Sequence, residues 1–362
     1  LTNREHALAR VRAVLAAAAR IADANDPLGR EARARLERTS GLSPEGVALA
    51  LEHLETGAGD DELAGLLARA RAAVRCHVVL AANVCTAPVR ALAFALAGAN
   101  EVRLRPSRRD PVVAELVARA LAASPAFAAA GGRVVLVEHL DARPGDDVHL
   151  YGSNAALAKI RATLPERVHV LGHGTGFGLG VVAGGADEGA AGEALARDLV
   201  PFDGRGCLSP LVALVEGDAR RAARVAEALH DALGRAGERV PRGPLDAEER
   251  AALTTWRATA EALGGCLEGP HHLVALDTDP RALLLPPALR CLLVLACRSP
   301  EHAAELLAPL GTRVTMVGAT PSVQAAVVRS AIASCPRART ARLGAMQRPA
   351  LDGPVDLRPY LD

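Results

Sequence analysis

The sequence predicts an α/β protein with two doubly wound units and an N-terminal helical region. Three observations predict it. From residue 77 onward, short apolar runs of strand length alternate with segments of helix length. Those runs are short and predominantly apolar, as parallel strands covered on both faces are. The 362 residues, 50% of them hydrophobic, suffice for about two domains and a large core without disulfide or metal staples.

The elements follow in order. Residues 4–20 and 30–38 are rich in Ala and Arg and helical in character. Ser43-Pro44 opens a third helix, with Ser43 as N-cap and Pro44 in the first position. A fourth helix runs from about 60 to 74 behind Asp60, and these first 75 residues carry no chemical motif. Strands are expected at HVVLAAN (77–83), EVRLRPS (101–107), RVVLVEH (133–139), VHLYGS (148–153) and RVHVLGH (167–173). Helices are expected between them at 87–98, 111–122 and 154–163. Ligands bind at the carboxyl ends of such strands. That singles out Asn83, Arg105-Pro106-Ser107 and Gly152-Ser153.

A second unit begins near 178 with the strand GLGVVAG (178–184), a helix over 188–200, the turn FDGRGCLSP (202–210) and the strand LVALVEG (211–217). Helices near 219–235 and 246–263 follow, with strands HLVALD (272–277), LRCLLVLA (289–296) and RVTMVGA (313–319). The segment AGERVPRGPL (236–245) reads as an exposed connection. No internal repeat is evident.

Composition removes several function classes. Lys+Arg number 42 against 41 Asp+Glu, a net charge of +1, which argues against a nucleic-acid or anionic-membrane partner held by bulk electrostatics. Seven aromatic residues are too few for base-stacking surfaces. The longest apolar stretch (282–297) is interrupted by Pro286, Pro287 and Arg290, so no membrane span is expected. No apolar run follows the charged start, so no secretory signal is expected. The seven cysteines form no Cys-x-x-Cys pair and no zinc-type set with His, so no metal is expected; their odd number suits reduced thiols in a cytoplasmic protein. Lys159 is the only lysine and Ala is abundant, a bias that makes any single Arg or Ala less informative.

The run GHGTGFGLG (172–180) fails as a dinucleotide fingerprint, because Phe177 stands where the third glycine belongs. Its glycines still permit a backbone facing a ligand closely. Cys207 differs from Cys76, Cys266, Cys291 and Cys297, which sit in or beside apolar runs as small hydrophobes do. It lies in Asp-Gly-Arg-Gly-Cys-Leu-Ser-Pro, where two glycines remove steric cover and Arg205 is expected to lower the thiol pKa. That context suits either an accessible nucleophile or an inert turn cysteine.

The order of the pieces carries more than any one of them. Asn83, a helix, Gly98-Ala-Asn100, a strand ending Arg105-Pro106-Ser107, Gly152-Ser153 and then Cys207 together resemble the aldehyde dehydrogenase superfamily over about residues 77–217. Cys207-Leu-Ser-Pro, with Gly344, Met346-Gln347, Pro349 and Asp352-Gly353 in the tail, resembles its acyl-CoA reductase branch, the fatty-acid reductase of bacterial bioluminescence. The resemblance implies an aldehyde dehydrogenase-like fold. Its parts would be 1–75 as a helical region of the cofactor domain, 76–180 as the nucleotide-binding domain, 181–340 as the catalytic domain with Cys207, and 341–362 as the tail. It further implies a Cys207 acyl thioester, with the oxyanion held by the Asn83 side chain and the Cys207 backbone N–H. Arg105, Ser107, Arg108, Gly152 and Ser153 would bind the cofactor. Arg105 replaces the usual lysine, and Arg108 and Arg109 stand near where NAD-preferring relatives place a glutamate, which points to NADPH, with NADH as the alternative. Activated acyl groups such as acyl-CoA would be the substrates. A homo-oligomer and an acyl-activating partner protein are implied by the resemblance alone.

Two superfamily motifs are missing. The Glu-Leu-Gly-Gly stretch whose glutamate activates water is replaced by Val170-Leu-Gly-His173-Gly, which disfavours aldehyde oxidation and leaves acyl transfer between thiols. His173 becomes a candidate proton donor or relay. The Glu-x-Phe-Gly-Pro motif is not evident either. An acyl-phosphate reductase of the glutamyl-phosphate type and a non-catalytic scaffold are the competing readings.

Overall fold

The computed structural model describes residues 2–321 and 325–358; the last four residues of the expected tail lie outside it. Helices α1 (Asn3–Ala22), α2 (Pro27–Thr39), α3 (Pro44–Glu52) and α4 (Asp60–Arg69) open the chain. Each start is chemically marked: Thr2 and Glu5 form a capping box on α1, Asp26 caps α2 ahead of Pro27, and Ser43 caps α3 ahead of Pro44.

The first sheet follows as β1 (Ala73–Val79), α5 (Ala87–Gly98), β2 (Ala99–Arg105), α6 (Val112–Ala122), α7 (Pro125–Ala129), β3 (Arg133–Leu136), β4 (Asp147–Tyr151), α8 (Asn154–Arg161) and β5 (His169–His173). The strand order is β3-β2-β1-β4-β5, all parallel. The chain winds outward from β1 to β3, then returns to the other side of β1 with β4. The switch point of this doubly wound sheet therefore lies between the carboxyl ends of β1 and β4. α1 packs on α5, and the buried Arg10 of α1 donates to the Leu96 and Ala130 carbonyls at 3.0 and 3.2 Å.

The second sheet is built from β6 (Phe177–Val182), α9 (Glu188–Leu199), β7 (Pro210–Glu216), α10 (Ala219–Arg239), α11 (Ala247–Leu263), β8 (Cys266–Gly269), β9 (His272–Asp277), β10 (Cys291–Cys297), α12 (Pro300–Leu307), β11 (Val314–Ala319), α13 (Ala326–Ser334) and β12 (Arg339–Arg342). Its order is β12-β11-β6-β7-β10-β9-β8, parallel except for the β8–β9 hairpin. β10 is buried along its whole length. Leu293 and Leu295 join the core under α11–α13, while Leu292 and Val294 join the core under α9 and α10. Burial on both faces is why these strands read as unbroken apolar runs.

Several expectations are corrected. β1 begins at Ala73, earlier than expected, so the expected fourth helix ends at Arg69 and Asn83 sits in the turn beyond the strand. The chain passes from the first sheet to the second through Gly174-Thr175-Gly176. The segment 236–245 is not an exposed connection. It continues α10 to Arg239, and Gly243 is buried with its N–H donated to Asp203 at 3.0 Å. The short elements α7, β8, α12, α13 and β12, of four to nine residues, add to those expected from the sequence.

After β12 the chain forms a strap, residues 343–358, that ties the two sheets together. Buried Arg90 of α5 donates to the carbonyls of Pro349, Ala350 and Gly353 and to Glu55 at 2.6–3.2 Å. Arg339 pairs with Asp352 at 2.7 Å. Arg358 donates to the carbonyls of Gly174, Thr175 and Arg313 at 3.0–3.1 Å, grasping the link between the sheets.

Candidate active site

Four loops meet where the carboxyl ends of the first sheet face the second. The turn after β1 carries Asn83, exposed, ahead of α5. β4 ends at Tyr151, and the Gly152 N–H reaches across to the His173 carbonyl at 3.2 Å. Ser153 then caps α8 by accepting from the Ala156 N–H at 3.2 Å. His173 closes β5. The fourth loop joins α9 to β7 and carries Cys207.

This last loop is strained before it reaches the cysteine. Phe202 and Asp203 adopt left-handed backbone at φ 56° and 53°, followed by Gly204 at 70°. Asp203 holds them there. Its carbonyl accepts from Leu289 and Arg290 N–H at 2.9 and 3.1 Å, and its carboxylate takes Arg290 Nε at 2.8 Å; both side chains are 1% exposed. Ser209 donates its N–H to the Gly206 carbonyl at 3.0 Å, closing a tight turn around Cys207. Gly178 of β6 lets that turn sit close, since a Cβ there would stand 2.3 Å from the Leu208 carbonyl oxygen. Gly174 is likewise closely packed: a Cβ on it would strike Asn154 Oδ1 at 2.0 Å, the atom that accepts from Thr175 N–H at 2.9 Å.

Asn83, Gly152, Ser153, His173 and Cys207 line one cavity of about 410 Å³, with Tyr151, Arg205, Gln347 and Asp356 also in its wall. Cys207 is half-buried and its thiol is free. Burial pushes the thiol up to about 12, the Asp356 carboxylate pushes in the same direction, and Arg358 opposes them. The expectation that Arg205 lowers this thiol is overturned. Its guanidinium is committed to Asp203 at 3.1 Å and to Glu249 at 2.9 Å, so its charge is already neutralised.

His173 is buried and stacks on Tyr151 with ring centroids 4.3 Å apart. Neither ring nitrogen has a hydrogen-bond partner among the described residues. Burial drives its pKa down to about 4, so the imidazole is neutral at neutral pH. It thus presents one N–H and one bare nitrogen. Both carboxylates of the cavity wall are occupied: Asp356 by Arg358 at 2.5–2.9 Å, and Glu55 by Arg90 at 2.8 Å.

Arg105, Ser107 and Arg108 lie outside this cavity, at and just beyond the carboxyl end of β2. Arg105 is half-buried, and its side chain makes no hydrogen bond or ion pair among the described residues. Ser107 Oγ accepts from the Arg109 N–H at 3.3 Å, and Arg108 and Arg109 are exposed. These groups and the start of α8 flank the switch point on either side.

The acyl-CoA reductase (LuxC) family matches residues 68–357. The chain belongs to that family. No curated protein matches the sequence significantly. Solved structures similar in fold include an NAD-dependent benzaldehyde dehydrogenase from Corynebacterium glutamicum, 17% identical over 95% of this chain and 80% of that one, TM-score 0.68. A methylmalonate-semialdehyde dehydrogenase from Oceanimonas doudoroffii is 15% identical over 95% and 79%, TM-score 0.66. A lactaldehyde dehydrogenase from Escherichia coli is 19% identical over 96% and 79%, TM-score 0.62. The fold is therefore that of the aldehyde dehydrogenases, as the sequence resemblance implies. Membership in the acyl-CoA reductase family makes the chain an oxidoreductase of the acyl–aldehyde type. No helix among the described residues is long and apolar enough to cross a membrane. Sequence reasoning missed Tyr151, Arg90 and Asp356. Gln347 was legible only as part of a tail signature, without a role.

Proposed function

We propose that this acyl-CoA reductase family member converts an acyl-CoA to its aldehyde through a thioester on Cys207, with NADPH as reductant. One observation carries the reading: Asn83, Gly152-Ser153, His173 and Cys207, far apart in sequence, line a single cavity at the switch point. The Cys207 sulfur attacks the acyl carbonyl. Its C–S bond forms as the bond to CoA sulfur breaks, and the cysteine proton leaves on the CoA thiol. The Asn83 amide and the Cys207 N–H are the donors for the oxyanion. Neutral His173 passes the proton, accepting at its bare nitrogen and donating from the other.

Arg105, Ser107 and Arg108 at and just beyond the end of β2, with Gly152 and Ser153 at the start of α8, suit an anionic dinucleotide. Arg105 has an uncommitted guanidinium, and a helix start at the switch point favours phosphate. When bound, the reduced nicotinamide would supply the hydride that reduces the acyl thioester, and His173 would pass a solvent proton to the resulting oxyanion to give the thiohemiacetal. The thiohemiacetal then releases the aldehyde, and its hydroxyl proton returns to Cys207. Each carboxylate in the wall is held by an arginine, so none is free to serve as the base that would activate water. That favours acyl reduction over aldehyde oxidation.

The test is NADPH consumption by the purified protein with acyl-CoAs from short to long chain, beside Cys207→Ala. Turnover by the wild type and none by the variant is expected. Turnover only with acyl phosphates would replace the acyl donor. A wild type that turns over neither donor and resists thiol reagents at Cys207 would leave a binding scaffold.

A further inference from the structure

One oriented amide in the cavity wall has no part in the reading above. Gln347 stands on the strap and lines the cavity. Its Nε2 donates to the Asp198 carbonyl at 2.6 Å and to Ser209 Oγ at 3.0 Å. A carbonyl oxygen only accepts, so the Asp198 contact fixes which end of the amide is nitrogen. Both N–H groups are then committed. Oε1 is turned the other way, beside Gly206, where a Cβ would stand 3.8 Å from it.

These contacts bracket the cysteine. Ser209 is fully buried, closes the turn onto Gly206, and has its carbonyl taken by the Gly178 N–H at 2.9 Å. The strap is itself fixed here. The buried Asp198 carboxylate accepts from the Gly344 and Met346 N–H groups at 2.5 and 2.8 Å. A continuous path of hydrogen bonds thus runs from the end of α9, through Gln347, to the turn that presents Cys207. Among the described residues, Gln347 is the one strap side chain hydrogen-bonded to the Cys207 turn.

We propose that Gln347 is a positioning residue, which braces the Cys207 turn through Ser209 and so sets the sulfur where it meets the acyl carbonyl. This rests on the reading of Cys207 as the nucleophile. A nucleophile displaced by even a fraction of an ångström loses rate without losing substrate. A residue that only pinned the strap would lower stability and leave sulfur reactivity alone.

The experiment compares wild type, Gln347→Met, which keeps length but removes both donors, and Ser209→Ala, which removes the acceptor alone. Cys207→Ala sets the background. Iodoacetamide alkylation of Cys207 is followed by mass spectrometry, beside kcat, KM and the melting temperature. Gln347→Met is expected to slow alkylation and kcat by about tenfold, with KM for the acyl donor essentially unchanged. Ser209→Ala is expected to slow alkylation in the same direction. Wild-type alkylation rates in folded Gln347→Met overturn the proposal. If that variant does not fold, Ser209→Ala decides: slowing supports the brace, and a wild-type rate overturns it. A wild-type Cys207 that resists alkylation even at pH 10 overturns the nucleophile reading, and this inference with it.

Discussion

Arg205 and Cys207 are two residues apart, yet the arginine does not act on the thiol. Its charge is spent on Asp203 and Glu249, and burial governs Cys207 instead. With the thiol pushed up to about 12, the thiolate fraction keeps rising across the whole working range of pH. Alkylation of Cys207 in the enzyme alone should therefore climb with each pH unit from 7 to 10 and show no plateau. Rate measurements with iodoacetamide check this; a plateau below pH 8 would show a thiol activated at rest. His173 contributes no inflection near its ordinary value, because its pKa, driven down to about 4, leaves it neutral throughout that range.

At the scale of elements, the strap and α5 depend on one another. Arg90 is buried and meets four acceptors, three of them strap carbonyls. Arg90→Met would leave those carbonyls and the Glu55 carboxylate without their donor. A buried acceptor left without its donor costs roughly 1–3 kcal/mol. Urea unfolding should show a loss of that order. The strap's release should also cut acyl-CoA turnover, because Gln347 and Asp356 ride on it. A variant as stable as the wild type would mean that the strap is held elsewhere.

At the scale of the whole molecule, the two sheets meet so that β1, β4 and β5 present their carboxyl ends to the Cys207 loop. The distal face of the switch point, at β2, is where cofactor choice is expected to reside. Arg108 is exposed there and faces no carboxylate within ion-pairing distance among the described residues. Arg108→Glu should lower kcat/KM for NADPH by about tenfold or more relative to NADH, through loss of a cation and gain of repulsion toward a 2′-phosphate. Steady-state kinetics with both cofactors measure the ratio. An unchanged ratio would remove Arg108 from cofactor selection.

The sequence by itself determined the α/β class with its parallel strands, most plainly where burial on both faces writes an unbroken apolar run such as Cys291–Cys297. It also singled out Asn83, Gly152-Ser153, His173 and Cys207 as candidates, from the residue types at strand ends and in the turn around Cys207. Tertiary structure alone decided what surrounds them. Asp356 and Gln347 reach the cavity from the far end of the chain, and Arg205 is neutralised by Glu249 on α11. Desolvation, which sets both the Cys207 thiol and the His173 imidazole, is a property of everything packed around a group. Such contacts join residues separated by tens to hundreds of positions, and local sequence pattern records only nearest neighbours.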